Sequence, residues 1–401
     1  ADPAVPPIVP PGLPAAVAAL KAGNAAVPPE KPVSSLRLAV AGIEFPDAAH
    51  NPAWKAEDWE QLLFSRGRYN TQSPTGEPVH GSAADWLAEQ SCGRFTLSGR
   101  FLGWFRFPER KAAVERMVMG AALLDAGGAS TDWPSQAAEI VRRGGKDAAG
   151  FEAFDAIAFV VAGPISGRPG TQLWPHQATL RVAGRTLPYI VLFEDGRRFP
   201  SISVAVHELG HVLGLPDQFG SQQVDNLGLW CTMATGHKGL EGGRGARPNH
   251  LCAWCKMRLG WLRPTPVDPR AAQHLRLRPV ENSADQAFQV LLQPDGSEYL
   301  LLENRGATGF DAELPAPGLL AWRVTDYGKV ELEPAHGLRS GELSLRIPHQ
   351  VPFPQPDRDS LTPLTSPTGR ARTPFGRDAW LCGIRRHANG EVTFSLGFEF
   401  H

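Results

Sequence analysis

Neither sign of charge is in excess: 40 Lys+Arg stand against 41 Asp+Glu, a formal net charge of −1. Such a balance offers no basic footprint for nucleic acid and no polybasic patch for a membrane surface. Long apolar runs are also missing, and none reaches the roughly 18 residues that a membrane-spanning helix needs. Cysteine is sparse, with five in 401 residues, which excludes a disulfide scaffold. Being odd in number, the cysteines leave at least one thiol outside any pair within the chain. Tyr and Met number only four each, so either one at a special position carries information. The opening residues Ala1-Asp2-Pro3 lack the charged start and apolar core of a signal peptide, and the start reads as processed or engineered.

Turn formers, by contrast, are abundant, with 37 Pro and 42 Gly, and 42% of residues are hydrophobic, as in a globular, loop-rich chain. The length suffices for one large domain or two ordinary ones. Residues 1–34 are rich in Pro and Ala and read as an extended leader or linker. Buried strands are expected at Leu36–Ile43 and Phe154–Val161, and a helix is expected after Ser82 as its N-cap. A strand pair is expected between Arg94 and Phe107, and helical stretches near 111–125 and 134–143. A hairpin turning at Ala183-Gly184 should run into Tyr189–Phe193. Beyond about residue 266 short alternating runs predict a mostly antiparallel β domain, with a long Pro-rich loop over 348–376. The expected division is therefore a leader at 1–34, a catalytic domain at 35–266 and a β-rich domain at 267–401.

The chemistry concentrates in His207-Glu208-Leu209-Gly210-His211. Histidines four apart on a helix lie on one face, so both imidazoles can reach one Zn²⁺. Glu208, adjacent and not a ligand, is placed to act as general base. The pattern extends through Gly214 to Asp217, which brings its chance occurrence below about one in a thousand. The extension has a mechanism. Gly214 permits the backbone that ends the helix, Pro216 stops it from resuming, and Asp217 offers a third, carboxylate ligand. A Glu ligand from a following helix is disfavoured because no Glu occurs between Glu208 and Glu241; Asp225 is the second choice. Met233, in Leu229-Trp230-Cys231-Thr232-Met233-Ala234-Thr235-Gly236, stands where metzincin-type peptidases place a Met-containing turn beneath the ligands.

Taken in order, these segments resemble the immune inhibitor A family of secreted bacterial zinc metallopeptidases. The resemblance also rests on Ser91-Cys92-Gly93-Arg94-Phe95, Leu173-Trp174-Pro175-His176, Ala253–Leu262 and Tyr299–Arg305, with Gly309-Phe310-Asp311 and Pro317–Trp322 after them. It spans roughly residues 35 to 400. It implies an α+β architecture, with a zincin/metzincin-like catalytic domain of mixed sheet plus active-site helix, followed by the β domain. It further implies a secreted zinc endopeptidase acting on proteins or peptides, with zinc on His207 and His211, Glu208 as base, and structural Ca²⁺ at unassigned positions. There are departures. Cys92 replaces an aromatic, and Thr235 stands where several metzincins carry a transition-state Tyr. His237 is a candidate for that role, or else a turn residue on the surface. His176 is a candidate substrate contact at the rim, or else a buried His capping a loop.

Cys252 and Cys255 form a C-x-x-C with no second such pair, which argues against a zinc ribbon. A disulfide from Cys231 to one of them would brace the Met turn; reduced core thiols are the other reading. Pairing among Cys92, Cys231, Cys252, Cys255 and Cys382 stays open. The expected partner is a protein substrate, the protein itself a monomer, with no nucleic acid and no membrane span. Two rival functions are a zinc peptidase specialised for glycoproteins and an inactive zincin-fold binding module. The substrate strand is expected along an edge formed by Tyr189–Phe193.

Overall fold

The computed structural model describes residues 29, 31–116, 132–144, 153–167, 169, 171–194, 196–219, 227–240, 245–268, 271–293, 295–325, 328–337, 347–364 and 377–400. Most of the expected leader over 1–34, Asp225 and the later part of the 348–376 loop lie outside these residues. The chain is mixed α+β and forms two compact units. One comprises Ser34–Leu87 and Thr96–Gly214, the other chiefly Ala88–Phe95 and Leu215–His401. Within the second unit, buried polar ties that hydrophobic patterning does not reveal hold its segments together. Arg305 Nη1 donates to the Trp230 carbonyl at 3.3 Å, and the His250 amide donates to Asp311 Oδ1 at 2.8 Å. These fasten residues 230–250 to the later strands.

The first unit is built on a five-stranded sheet of β1 (Ser35–Glu44), β2 (Thr96–Arg106), β3 (Ala156–Val161), β4 (Gln177–Val182) and β5 (Arg185–Phe193). Their order is β2-β1-β3-β5-β4. The first four neighbours run parallel and β4 alone is antiparallel. Every residue of β3 is buried, which is why its sequence is an unbroken apolar run. Two expectations change here. The strand pair expected between Arg94 and Phe107 is one strand, because no turn interrupts it. It pairs with β1 along its length and absorbs a register shift between Val40 and Gly42. Nor is Tyr189–Phe193 an edge. Ala183 (φ 47°) and Gly184 (φ 74°) both adopt the left-handed conformation of a two-residue hairpin turn. That hairpin lays β4 over β5 and moves the edge to β4.

The helices are α1 (Ala56–Phe64), α2 (Ala83–Gln90), α3 (Lys111–Val114), α4 (Trp133–Gly144) and α5 (Ser203–Val212); α1 was not expected, and of the stretch expected near 111–125 the part from residue 117 on lies outside the described residues. At the start of α2 the Asp85 amide donates to Ser82 Oγ at 3.0 Å, while the Ser82 amide donates to Asp85 Oδ2 at 3.1 Å. That reciprocal cap satisfies donors the helix itself leaves open. Trp133 of α4 packs against Phe107 and Phe159 in the sheet's core.

The second unit carries α6 (Ala253–Arg258) and two sheets. In one, β6 (Thr265–Pro266), β8 (Ala287–Leu291), β9 (Tyr299–Arg305), β10 (Gly318–Thr325) and β11 (Lys329–Glu333) lie in the order β11-β10-β9-β8-β6. In the other, β7 (Gln273–Leu277), β12 (Arg377–Arg386) and β13 (Val392–Phe400) lie in the order β12-β13-β7. All pairings except β6 with β8 are antiparallel. Leu300, Leu302, Leu319, Phe353, Leu381 and Phe394 share their core. Among the described residues, no helix is long and apolar enough to cross a membrane.

Candidate metal centre

α5 carries the histidine motif, and its own chemistry explains its limits. It runs directly on from the Pro200-Ser201 turn and ends at Val212. Gly214 then takes φ +96°, a conformation that L side chains rarely adopt, and turns the chain off the helix axis. His207 and Glu208 are buried, at 7% and 6% exposure; His211 is half-buried and Asp217 exposed. The His207 and His211 Nε2 atoms are 3.2 Å apart, with the rings nearly perpendicular. Two nitrogens at roughly 2.0–2.1 Å from one tetrahedral ion lie about 3.3 Å apart, so the pair is spaced as two ligands of a single zinc. Asp217, the expected third ligand, stands exposed six residues beyond His211. Two imidazoles and one carboxylate are a donor set suited to zinc.

The residue after Asp217 fixes where that stretch goes. The Gln218 amide donates to the Met233 carbonyl at 2.7 Å, which couples the Asp217 segment to the Met233 turn. Met233 is wholly buried. His237 belongs to the 3₁₀ turn Thr235–Lys238, where its Nδ1 bonds the Ala234 carbonyl at 2.6 Å and its ring meets Phe219 edge-on.

His176 takes the loop-capping alternative. It is 8% exposed. Its Nδ1 bonds the Trp174 carbonyl at 2.5 Å and its Nε2 the Tyr189 hydroxyl at 3.0 Å. With both nitrogens engaged, it pins the Leu173–His176 loop to β5 and has no free nitrogen for substrate. Burial pushes its pKa down, against a smaller upward pull from the Trp174 carbonyl.

One feature had no sequence signal. A cavity of about 100 Å³ lies beside the start of α5, lined by Trp59, Leu62, Pro175, Leu192, Phe193 and Val204 among others. Val204 and Glu208 are one helical turn apart, so the cavity and Glu208 share a helix face. The residues lining it come from five separate stretches of chain, which is why no local pattern announces it.

The five cysteines are free thiols, so the expected disulfide from Cys231 is not formed. Cys231 and Cys255 Sγ are 3.9 Å apart, against about 2.05 Å for a disulfide. Compared with protein-family models and with curated proteins, the chain matches none.

Proposed function

We propose that this chain is a zinc-dependent endopeptidase of the metzincin-like kind that acts on protein substrates outside the cell. The observation that carries the reading is the 3.2 Å separation of two imidazole nitrogens on one face of α5, with Glu208 between them in sequence. His207 and His211 would hold the ion through Nε2, and Asp217 through its carboxylate. When bound, zinc supplies Lewis-acid polarisation of the scissile carbonyl and lowers the pKa of water. Glu208 takes the proton of the attacking water and hands it to the leaving amine. Its near-complete burial shields that transfer from bulk solvent. Export and the family assignment rest on the resemblance in the quoted motifs.

The substrate lies along β4, the antiparallel edge strand, whose outer backbone groups can pair with an extended peptide. An apolar side chain of the substrate enters the cavity beside Val204. The test is Glu208→Ala in the full chain, read by peptide-library digestion and by metal content. Turnover should vanish while zinc stays bound. Undiminished turnover rejects the mechanism, and a wild-type chain that takes up no zinc at the histidine pair rejects the whole reading.

A further inference from the structure

We propose that Cys231, Cys252 and Cys255 form a second, structural metal site that binds Zn²⁺ through three thiolates. Their sulfur atoms all lie within 4.8 Å of one another, and all three residues are fully buried. Two thiolates at about 2.3 Å from a common zinc are about 3.8 Å apart in a tetrahedral site and about 4.0 Å apart in a planar three-coordinate one. The 3.9 Å between Cys231 and Cys255 falls between these values. A disulfide would join two of the sulfurs and leave the third pressed against the bond. Three thiols converging on one point is the arrangement of a ligand set.

Backbone amides point at two of the three sulfurs. The Cys252 amide donates to Cys231 Sγ at 3.4 Å. The Met233 amide is directed at that same sulfur, and the Cys255 amide at the sulfur of Cys252. Amide donors aimed at sulfur favour the ionised ligand, as in other charge-assisted hydrogen bonds. Zn²⁺ with three thiolates carries one net negative charge, and the Arg258 guanidinium interacts with Cys255 from the last turn of α6. On binding, the three thiols release their protons to solvent and no electron moves. The consequence is mechanical: the ion clamps the turn that holds Met233 to the start of α6. The assignment stands whether or not the histidine pair supports hydrolysis, because it uses different atoms and a softer ligand set.

The test uses the full chain, purified under reducing conditions and loaded with Co²⁺ alone. Sulfur-to-Co(II) charge-transfer absorption in the near ultraviolet is expected, which an imidazole–carboxylate set cannot give. Cys252→Ser and Cys255→Ser should each lose it. The double variant His207→Ala/His211→Ala and the control Cys382→Ser should keep it. With Zn²⁺, metal analysis should fall from about two equivalents to about one in Cys255→Ser. Should the Ser variants fail to fold, the wild type still decides. Three of its five thiols should resist a chromogenic thiol reagent until a chelator is added. A disulfide linking Cys231 to Cys252 or Cys255 in the purified chain, or Co²⁺ loading without thiolate absorption, overturns the proposal.

Discussion

The histidine pair and the thiol trio both bring ligand atoms close, 3.2 Å between the His207 and His211 nitrogens and 3.9 Å between the Cys231 and Cys255 sulfurs, yet in opposite surroundings. The first set grades from buried His207 through half-buried His211 to exposed Asp217. The second is sealed on all three members. A centre that acts on a substrate needs a side from which substrate and water approach, whereas a centre that only holds two segments together gains by excluding both. The support differs as well. The histidines stand on one helix, positioned by local periodicity. The thiols come from a turn and the start of a helix some twenty residues on, and long-range polar ties hold those segments in place. Arg305 donates to Asp311 Oδ2 at 2.6 Å and to the Trp230 carbonyl, next to Cys231. Asp311 accepts from the His250 amide, and the His250 carbonyl accepts from the Thr232 amide at 3.2 Å. Removing a reacting group should therefore stop chemistry and spare the fold in the open region, while removing a tie should do the reverse in the closed one.

The sharpest expectation concerns Glu208→Ala, which should lower kcat by at least about 100-fold, the lower end of what a general base contributes. Its urea unfolding midpoint should stay close to that of the wild type. A fold that collapsed with the activity would erase the contrast. Next is Asp311→Asn in the closed region. It takes from the buried Arg305 charge one of its two carboxylate partners, leaving Glu303 Oε1 at 3.2 Å, and should cost up to about 3 kcal/mol in denaturant unfolding. Acid offers a second view of the same pair. Burial by itself would raise the Asp311 pKa, but the Arg305 charge, with His250, brings it down to about 2. A depressed carboxylate stabilises the fold above its unfolded value, about 3.9, and that contribution is lost as pH falls through the folded value. Stability should drop between about pH 4 and pH 2 in the wild type and much less in the Asn variant.

Smaller effects refine the open side. Gly214→Ala forces a side chain into the left-handed region and should cost about 1–2 kcal/mol. Zinc affinity should weaken with it, since Asp217 follows that turn; isothermal titration would show an unchanged affinity if the carboxylate were no ligand. The smallest effect asks whether His176 belongs to the open set at all. Its lowered pKa keeps it neutral in the fold, so its contribution is present above the unfolded value near 6.5 and is lost as pH falls. His176→Gln should flatten the dependence of thermal stability on pH between about 7 and 5 and leave KM unchanged. A raised KM would return His176 to the substrate rim.

The parts of the fold legible in the sequence are those with a local cause. β1, β3, the capped start of α2 and the hairpin at Ala183-Gly184 each announce themselves through periodicity, a capping side chain or a turn that needs positive φ. The parts misjudged have distant causes. Whether Tyr189–Phe193 is an edge depends on where its hairpin partner folds. Whether Arg94–Phe107 holds one strand or two depends on β1 pairing with the whole of it.

The same division applies to the chemistry. His207, Glu208, His211, Gly214 and Asp217 lie within one helix and the turn that ends it, so helical pitch and the conformational freedom of one glycine define their arrangement from sequence alone. The convergence of Cys231 with Cys252 and Cys255, the engagement of both His176 nitrogens and the apolar cavity beside Val204 were decided only by tertiary structure. Each brings together segments that no short-range rule relates, and packing with buried polar ties selects which of their many arrangements is realised.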